Sequence, residues 1–420
     1  MNINDYKIDF NNAINSGIYT DKIFDRRKKS FEKFLKLGLP TKKWESWRHT
    51  NLSKLNNLKL DSHNQIKSNS TGYKNNILPI EPTLDLVFYN DMFRKDLSSD
   101  FPKGVSISDD LELLLEDDTF YLDAPFSLLN STFLKSGINI SIEKNLILDK
   151  TIRIIYNSDG NDSGITYPRV VLNVGESASC TILEHHINNI DSSFQNSVTR
   201  ISIDKNANLE HIKIQKNLDS VIDISTTTVK QKKDSNYNFF QYCEGSELGR
   251  NNIHIIMDGH GSNCNLSGIS LTKSIQQLDN NILVEHIGKH TNSSQNFKSI
   301  LDDKSSGVFN GKVVIREGAI KTDASQSNKN IILSKNAGMN SNPQMEIYND
   351  DVKCAHGSST GELDQEALFY IRSRGLDIVD AKSLLLRGFI TELIGKIRNR
   401  KIKNYLFENF DIWLSKNHNA

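Results

Sequence analysis

The sequence predicts a mainly β protein, in which a β-helix forms the middle of the chain and helical segments lie on both sides of it. From about Asn139 to His356, short β-branched runs such as INISI, RVVLNV and NNIHIIM alternate with Asn, Gly, Asp and Ser. This region lacks the periodicity of amphipathic helices, whereas the segments before and after it have that periodicity. Strand-forming and helix-forming residues are therefore segregated along the chain.

Recurring polar corners favour a β-helix over a β-sandwich. The stretches VGESASCTI, IDKNANLEHI and MDGHGSNCNL each pass from a strand end through a small polar corner into a new strand. They recur after about 29 and then about 55 residues, close to one and two turns of an irregular solenoid. A sandwich built from hairpins remains the structural alternative, although hairpin-type dipeptides are scarce apart from Asn310-Gly311.

Amphipathic helices are predicted on both flanks. On the N-terminal side, apolar residues fall on one face of a helix from Thr20 to Leu37, which Gly38 and Pro40 end. On the C-terminal side, Asp364 and Asp377 can each cap a helix. A third helix there carries apolar residues at Ile402, Tyr405, Leu406, Phe410 and Trp413. Because the end coils of a β-helix expose unpaired backbone and an uncovered core, we expect the flanking helices to cover both ends.

These patterns divide the chain into three predicted domains. A mainly helical N-terminal domain occupies residues 1–125 and contains some strand near LDLVFYN. The β-helix core occupies residues 126–360, and a C-terminal helical domain occupies residues 361–420. We expect the C-terminal domain to offer its remaining surface to a partner protein, with Arg372, Arg374, Arg387 and Phe389 on that surface.

The composition argues against several classes of partner. Lys+Arg and Asp+Glu both total 51, so a neutral chain has no global field to attract nucleic acid or an anionic membrane. The N-terminal stretch resembles no export leader, and no run of about eighteen apolar residues occurs, which predicts a cytoplasmic protein without a membrane span. The four cysteines form no CxxC pattern, as expected in a reducing compartment. One basic stretch is interpreted as a solvated helix face: Lys396, Arg398, Arg400, Lys401 and Lys403.

Cys354 and His356 are the first candidate functional residues. Residues two apart on a strand project to the same face, so the thiol and the imidazole lie side by side where the β region gives way to a helix. Both groups are good ligands for iron or zinc. A lone cysteine is most often a small buried hydrophobe, and a lone histidine is most often a hydrogen-bonded structural residue. Spacing alone leaves both interpretations open.

Two other groups of residues give weaker signals. Glu184 and His186 share a face of one strand, while His185 points the other way; outward hydrogen bonding is the expected role and ligand binding the alternative. The pairs Asp302-Asp303 and Asp350-Asp351 suggest a rival function, a β-helix polysaccharide lyase or hydrolase that uses paired carboxylates. Such enzymes are usually exported, and the sequence shows neither a leader nor a row of sugar-binding aromatic residues. A purely structural protein, with His356 packed at an interface, is the third reading.

Several longer stretches resemble one protein family. NPQMEIYNDDVKCAHGSSTGELDQEALFYIRSRGL, HTNSSQNFKSILDDKSSGVFNGKVVI and KTDASQSNKNIILS are similar to the C-terminal signatures of the SufB/SufD family of iron–sulfur cluster assembly proteins. The N-terminal PTKKWESWRHTNL is similar to that family's pattern, here Pro40, Glu45, Trp47, Arg48 and Thr50. The SufB type carries a Glu after the matching His and a further cysteine cluster, both missing here, so the chain resembles the SufD type.

The resemblance implies a fold and a set of partners. It implies a right-handed parallel β-helix with helical domains at both ends, paired with a SufB-type chain, or with a second copy of itself when isolated. It also implies that a SufC-type ATPase docks on the C-terminal helices, at residues 364–397. The assembly would act as a scaffold on which sulfur and iron form a nascent cluster at the interface of the two β-helices.

The resemblance also implies which residues meet the cluster. The family's cluster-site histidine falls on His356, and a cysteine position near the interface falls on Cys354. The main cysteine ligand belongs to the SufB-type chain, so this chain alone should bind the transient cluster weakly. Independently of the resemblance, the sequence contains no GxxxxGK[ST] phosphate-binding loop. We therefore expect a non-catalytic subunit, with ATP hydrolysis supplied by the SufC-type partner.

Overall fold

The computed structural model describes residues 3–15, 22–57, 78–80, 82–115, 125–158, 164–188 and 192–415. Within these ranges the chain forms a β-solenoid of about seven turns with helices on both sides, and 45% of the chain is strand against 26% helix. The predicted mainly β class is therefore confirmed. The first residues of the helix predicted from Thr20 lie outside the described residues.

Two sheets form the solenoid walls, and each coil adds one strand to each sheet. In spatial order, sheet A contains β2 (Met92–Phe93), β1 (Thr83–Tyr89), β5 (Thr151–Ser158), β8 (Ser179–Asn188), β10 (Asn208–Asn217), β12 (Asn236–Glu244), β14 (Asn263–Thr272), β16 (Asn292–Leu301), β18 (Thr322–Ile332) and β20 (Val352–Gly361). Sheet B contains β19 (Gly338–Ile347), β17 (Ser306–Ile315), β15 (Gln277–His286), β13 (Leu248–Met257), β11 (Ile222–Gln231), β9 (Phe194–Ile203), β7 (Arg169–Val174), β4 (Gly137–Ile142) and β3 (Val105–Ser108). The short strand β6 (Ile165–Thr166) pairs with β9. The strand predicted near LDLVFYN is β1.

Parallel pairing of successive coils rules out the hairpin sandwich. The strands of consecutive coils run parallel from β5 to β20 in sheet A and from β4 to β19 in sheet B. The predicted corners are also confirmed, because Ser177, Asn206 and Gly261 all have a positive φ at the three stretches named above. Asp234 has a positive φ at the coil between the last two of them. A left-handed residue at each corner lets the chain turn sharply into the next strand.

Alternation of side chains along each strand builds the core. Inward-facing residues of both sheets form a continuous apolar cluster in the space between the sheets, here called the lumen, with Ile140, Leu209, Leu266 and Val313 among its buried members. Each of these side chains is fully buried. Burying such a side chain contributes roughly 1.5–3 kcal/mol, so the stacked coils are stabilised mainly by this cluster.

Within the described ranges, seven helices pack outside the solenoid. They are α1 (Ile3–Asn15), α2 (Phe24–Leu37), α3 (Leu111–Leu114), α4 (Pro125–Phe133), α5 (Gln365–Ser373), α6 (Ile378–Gly395) and α7 (Arg400–Ser415). The Asp364 carboxylate accepts backbone N–H groups at the start of α5, and the Asp377 carboxylate does so at the start of α6, as predicted. None of the helices in the described part of the chain combines the length and apolar character that a membrane span requires.

The prediction that the C-terminal helices cover the last coil is wrong. Helices α6 and α7 pack instead along the outer face of sheet A, where Leu386, Ile390 and Phe410 contact outward-facing strand residues such as Ile212 and Ile269. The reason is that alternate outward positions of the middle strands are apolar, so the outer face of sheet A offers the helices an apolar surface on which to pack. The N-terminal helices cover the outer face of sheet B in the same way.

Candidate functional site at the open end of the solenoid

The last coil ends the solenoid without a cover. Strand β19 pairs only with β17, and β20 pairs only with β18, so each presents one unpaired edge among the described residues. No residue of β19 or β20 is buried. Ile347 and Tyr348 are 45% and 55% exposed at the same place. These two strands and the lumen mouth between them are called the open end below.

Cys354 and His356 lie on β20 with their side chains on the lumen side. In register, Cys354 pairs with Ala324 and His356 pairs with Gln326, and both of those neighbours are buried inward-facing residues of β18. Cys354 is half-buried against the apolar cluster, whereas His356 is exposed because no further coil lies over it. The predicted side-by-side arrangement at the end of the β region is therefore present, and the roles of both residues as ligands remain predictions.

The four cysteines differ in how easily they lose a proton. All four lie in the described ranges, and none of them forms a disulfide there. Burial raises the pKa of Cys180 to about 12 and that of Cys243 to about 11, and it also raises the pKa of Cys264. Partial burial, and then the nearby Asp323 carboxylate, raise the pKa of Cys354 as well. Because thiolate is the metal-binding form, Cys354 must lose its proton when a metal binds.

A chain of hydrogen bonds shapes the lumen mouth. Ser358 Oγ on β20 donates to Ser341 Oγ on β19 (2.7 Å), and Ser341 Oγ lies 2.7 Å from Asn328 Oδ1 on β18. Asn330 Nδ2 donates to Asn328 Oδ1 (2.7 Å) and contacts Thr360 Oγ1 (3.1 Å). These bonds connect the two sheets across the final coil and hold its shape without another chain. The sequence analysis did not predict a role for these residues. The usable signal was that Asn328 and Asn330, like Ser358 and Thr360, are two residues apart and so share one face of a strand.

The four predicted docking residues are not equivalent in the structure. Arg372 is exposed on α5 and Arg374 is exposed directly after it, and the guanidinium of Arg374 lies 5.2 Å from the Tyr370 ring centroid. Arg387, in contrast, forms an ion pair with Asp411 of α7. Phe389 packs on its inner side against the cluster between the helices and sheet A. Arg372 and Arg374 are therefore open to another protein, while Arg387 and Phe389 also hold the helices together.

An exposed apolar surface on α5 and α6 escaped the sequence analysis. Phe369, Tyr370 and Leu384 are 75%, 59% and 52% exposed. Large exposed apolar side chains that lie together commonly mark a protein interface. Arg372, on α5, and Arg374, at its C-terminal cap, follow the first two of these residues in sequence. Consecutive residues of a helix point in different directions, so Phe369 and Tyr370 cannot both share the inward face of the buried Leu368. This pair of aromatic residues was the usable signal in the sequence.

The expectation that Glu184 and His186 point outward is wrong. Both side chains are buried in the lumen, with Glu184 Oε2 3.6 Å from His186 Nε2 and Glu184 Oε1 3.4 Å from His211 Nε2. Burial alone would raise the pKa of Glu184, but the two imidazoles and the Lys213 ammonium together lower it well below its usual value. Small polar residues such as Thr199, whose hydroxyl donates to Glu184 Oε1 (2.8 Å), make room for this cluster.

The two aspartate pairs of the rival hypothesis lie at corners of the solenoid. Asp302 Oδ1 accepts the backbone N–H of Asp303 (2.8 Å), and Asp303 Oδ2 accepts the backbone N–H of Ser274 on the neighbouring coil (2.8 Å). At the other corner, the carbonyl of Asp351 accepts the N–H of Lys321 (2.6 Å). Throughout the described ranges, no group of three or more His, Cys, Asp or Glu side chains is arranged to hold a metal ion. The structure therefore gives the Asp302-Asp303 carboxylates a role in a turn, and it places Asp351 at a turn through its backbone.

The fold and the open end together define a class of protein, a β-solenoid with helical flanks whose uncovered final coil carries a thiol and an imidazole. Comparison with known protein families agrees with this description. A family model for the SufBD core domain, described as SUF system FeS cluster assembly, matches residues 155–389. A model for the SufBD N-terminal region matches residues 9–154. The chain therefore belongs to the SufBD family of the SUF system for iron–sulfur cluster assembly.

Similar proteins cover nearly the whole chain. An iron–sulfur cluster assembly SufBD family protein of Synechocystis sp. is 28% identical over 406 residues, which is 92% of this chain and 90% of the relative. The iron–sulfur cluster assembly protein SufD of Escherichia coli is 29% identical over 383 residues, covering 89% of this chain and 88% of the relative. The resemblance found from the motifs is therefore confirmed at the level of the family.

Proposed function

We propose that this chain is a non-catalytic scaffold subunit that forms one side of an iron–sulfur cluster assembly site. In this proposal it pairs through its open end with a SufB-like subunit, docks a SufC-like ATPase on α5 and α6, and contributes Cys354 and His356 to a transient cluster between the two solenoids. It works in the cytoplasm, and its energy comes from the ATPase partner. The observation that carries the proposal is the open end itself.

Unpaired strands at the open end support pairing with a second solenoid. An exposed strand edge presents rows of unpaired N–H and C=O groups, and natural proteins usually cover or charge such edges. Here β19 and β20 are each ten residues long. The apolar cluster also reaches the surface, since Met339, Met345 and Val352 pack against it while remaining half-exposed. A second solenoid end, with the same strand spacing and an apolar lumen, would continue the sheets and cover the cluster.

Two ligands at the rim support a cluster shared between chains. A thiolate and a neutral imidazole suit iron, but Cys354 and His356 supply two ligands where an iron–sulfur cluster uses about four. Both side chains face the lumen mouth, so a cluster there would lie against whatever closes the open end. A partner's ligands would then complete the site, and this chain alone would bind the cluster weakly.

The test is a co-expressed complex with SufB-like and SufC-like subunits carrying His356→Ala. We expect normal subunit pairing by light scattering but a large loss of iron and sulfide per complex, because the ligand is removed without disturbing the strand edges. His290→Ala, which removes another exposed histidine at a corner distant in sequence, is the matched control. Normal cluster formation in the His356→Ala complex would reject the ligand role, and loss of pairing would assign His356 to the interface alone.

Docking of the ATPase can be tested on two sets of residues. Phe369→Ala with Tyr370→Ala removes exposed apolar area from α5 and should weaken binding of the SufC-like subunit about 30-fold, which corresponds to roughly 2 kcal/mol. Arg387→Ala with Phe389→Ala tests the surface predicted from the sequence, and thermal unfolding must accompany it because both residues also hold the helices together. Undiminished binding by both double variants would place the ATPase elsewhere.

A further inference from the structure

Two buried glutamines near the open end leave their hydrogen-bonding groups unused. Gln295 and Gln326 are 1% and 4% exposed. Within the described part of the chain, neither the carboxamide oxygen nor the carboxamide nitrogen of either side chain has a hydrogen-bond partner. Leaving one such buried group unsatisfied costs about 1–3 kcal/mol. Buried amides retained against this cost call for an explanation beyond packing.

The strand register places both glutamines in line with His356. Gln295 of β16 pairs with Gln326 of β18, and Gln326 pairs with His356 of β20. Neighbouring strands lie about 4.8 Å apart, so paired side chains on the same face reach each other through ordinary rotamers. On the far side of Gln295 the column continues with the apolar Leu266. The amides therefore form a short polar segment that ends at His356.

The imidazole of His356 has no hydrogen-bond partner among the residues that the structure describes. The side chain is exposed, and no other described residue forms a hydrogen bond with either of its ring nitrogens. A neutral imidazole exists as two tautomers, and the hydrogen bond made by one nitrogen decides which nitrogen is free to bind a metal. Metal-binding histidines almost always donate their second N–H to a carbonyl, a carboxylate or a water. Gln326 is the neighbour placed to accept it.

We infer that Gln326 is a positioning residue that orients His356 for metal binding, an inference that rests on the proposed function. The carboxamide oxygen of Gln326 accepts the N–H of the ring nitrogen nearer the lumen, and its amide nitrogen donates to the carboxamide oxygen of Gln295. The outer ring nitrogen then carries no proton and presents its lone pair at the open end. This ladder satisfies three of the four atoms that have no partner in the free chain.

The tautomer of His356 tests the inference without any metal. In the full chain labelled with 15N-histidine, long-range proton–nitrogen NMR spectra report which ring nitrogen carries the proton, and the His356→Ala spectrum identifies the signal. We expect one dominant tautomer in the wild type, a mixture in Gln326→Leu, and recovery in Gln326→Glu, which keeps an acceptor oxygen. Ser325→Ala, which alters an exposed neighbour on the other face of β18, should change nothing. A wild-type mixture, or a Gln326→Leu tautomer identical to wild type, would overturn the inference.

Iron binding by the assembled complex gives the second measurement. Loss of a hydrogen-bonding partner behind a metal ligand typically costs 10–100-fold in metal affinity or activity, so we expect Gln326→Leu to bind iron that much more weakly while subunit pairing is unchanged. Gln326→Glu should restore most of the affinity. If His356→Ala abolishes binding but Gln326→Leu does not, the inference fails and the proposed function stands. If His356→Ala itself binds iron normally, the proposed function fails first.

Discussion

The two ends of the solenoid are finished in different ways. At the N-terminal end, β2 and β3 run antiparallel to β1 and β4 and occupy the outer positions of the two sheets. At the C-terminal end, β19 and β20 run parallel to their neighbours like every coil before them, and none of their residues is buried. The chain therefore reverses direction to stop one end of the stack and leaves the other end ready for continuation.

This difference separates the well-covered part of the fold from the proposed site. Coils at the closed end have buried side chains on both sheets, as the fully buried Ile140 of β4 and Ile152 of β5 show. The open end keeps its shape through hydrogen bonds among Ser341, Ser358 and Asn328 rather than through a covered apolar core. The site proposed here to accept a partner and a cluster lies in the less covered part of the fold, where binding regions are commonly found.

The largest expected effect comes from matched isoleucine substitutions at the two ends. Ile140→Ala removes a fully buried side chain of β4 and should lower the free energy of unfolding by about 2–5 kcal/mol. Ile347→Ala removes a side chain of β19 that is 45% exposed and should cost less than about 1 kcal/mol in the isolated chain. Urea unfolding followed by circular dichroism measures both values. Equal costs would mean that the open end is packed as tightly as the closed one.

Low pH should lower the free energy of unfolding through a histidine that is buried in the covered coils. His286 is buried beside the hydroxyls of Thr291 (2.7 Å) and Ser293 (2.8 Å), and burial lowers its pKa from 6.5 to about 4. The unfolded chain binds a proton on this imidazole near pH 6.5, and the folded chain binds it only near pH 4. The contribution of the neutral imidazole to the free energy of unfolding is therefore complete above pH 6.5 and is lost as the pH falls toward 4. The full difference corresponds to about 3 kcal/mol.

The pH effect is measured as the change in unfolding free energy between pH 7 and pH 4. That change should be smaller in His286→Gln than in the wild type by up to about 3 kcal/mol, because the variant has no imidazole to titrate. Thr272→Val is the control, since it alters a buried hydroxyl that does not titrate and should shift stability equally at both pH values. An unchanged pH dependence in His286→Gln would contradict the assignment of a neutral buried imidazole.

Lysines introduced on the exposed edge strand should weaken subunit pairing while leaving the free energy of unfolding nearly unchanged. Ala355→Lys with Gly357→Lys adds charge to the outward row of β20, where Gly357 has open space around it. The free energy of unfolding of the isolated chain should change by no more than about 0.5 kcal/mol. Pairing with a SufB-like subunit, or with a second copy, should weaken about tenfold or more, because edge lysines oppose strand addition. Ser325→Lys, one strand further in, is the control and should leave pairing intact by light scattering.

Sequence patterns identified the class of fold and the thiol–imidazole pair because both depend on neighbours along the chain. The alternation that builds β20 places Cys354 and His356 on one face whatever the rest of the molecule does. The position of the C-terminal helices could not be found this way, since it depends on the summed apolar surface of strands far apart in sequence, such as Ile212 and Ile269. The inward direction of Glu184 and His186 could not be predicted for the same reason, since it depends on which face of their strand packs inside the solenoid.

What the sequence alone determined is local: strand and helix periods, the left-handed corners, the caps of α5 and α6, and the pairing of a cysteine with a histidine two residues later. Only the tertiary structure decided that the last coil is uncovered and that Gln295 and Gln326 lie behind His356. These glutamines are 61 and 30 residues before His356 in the chain, respectively, and they share a column with it only because successive coils stack in register. Register is set by the coils that lie between them, and so no short stretch of sequence contains it.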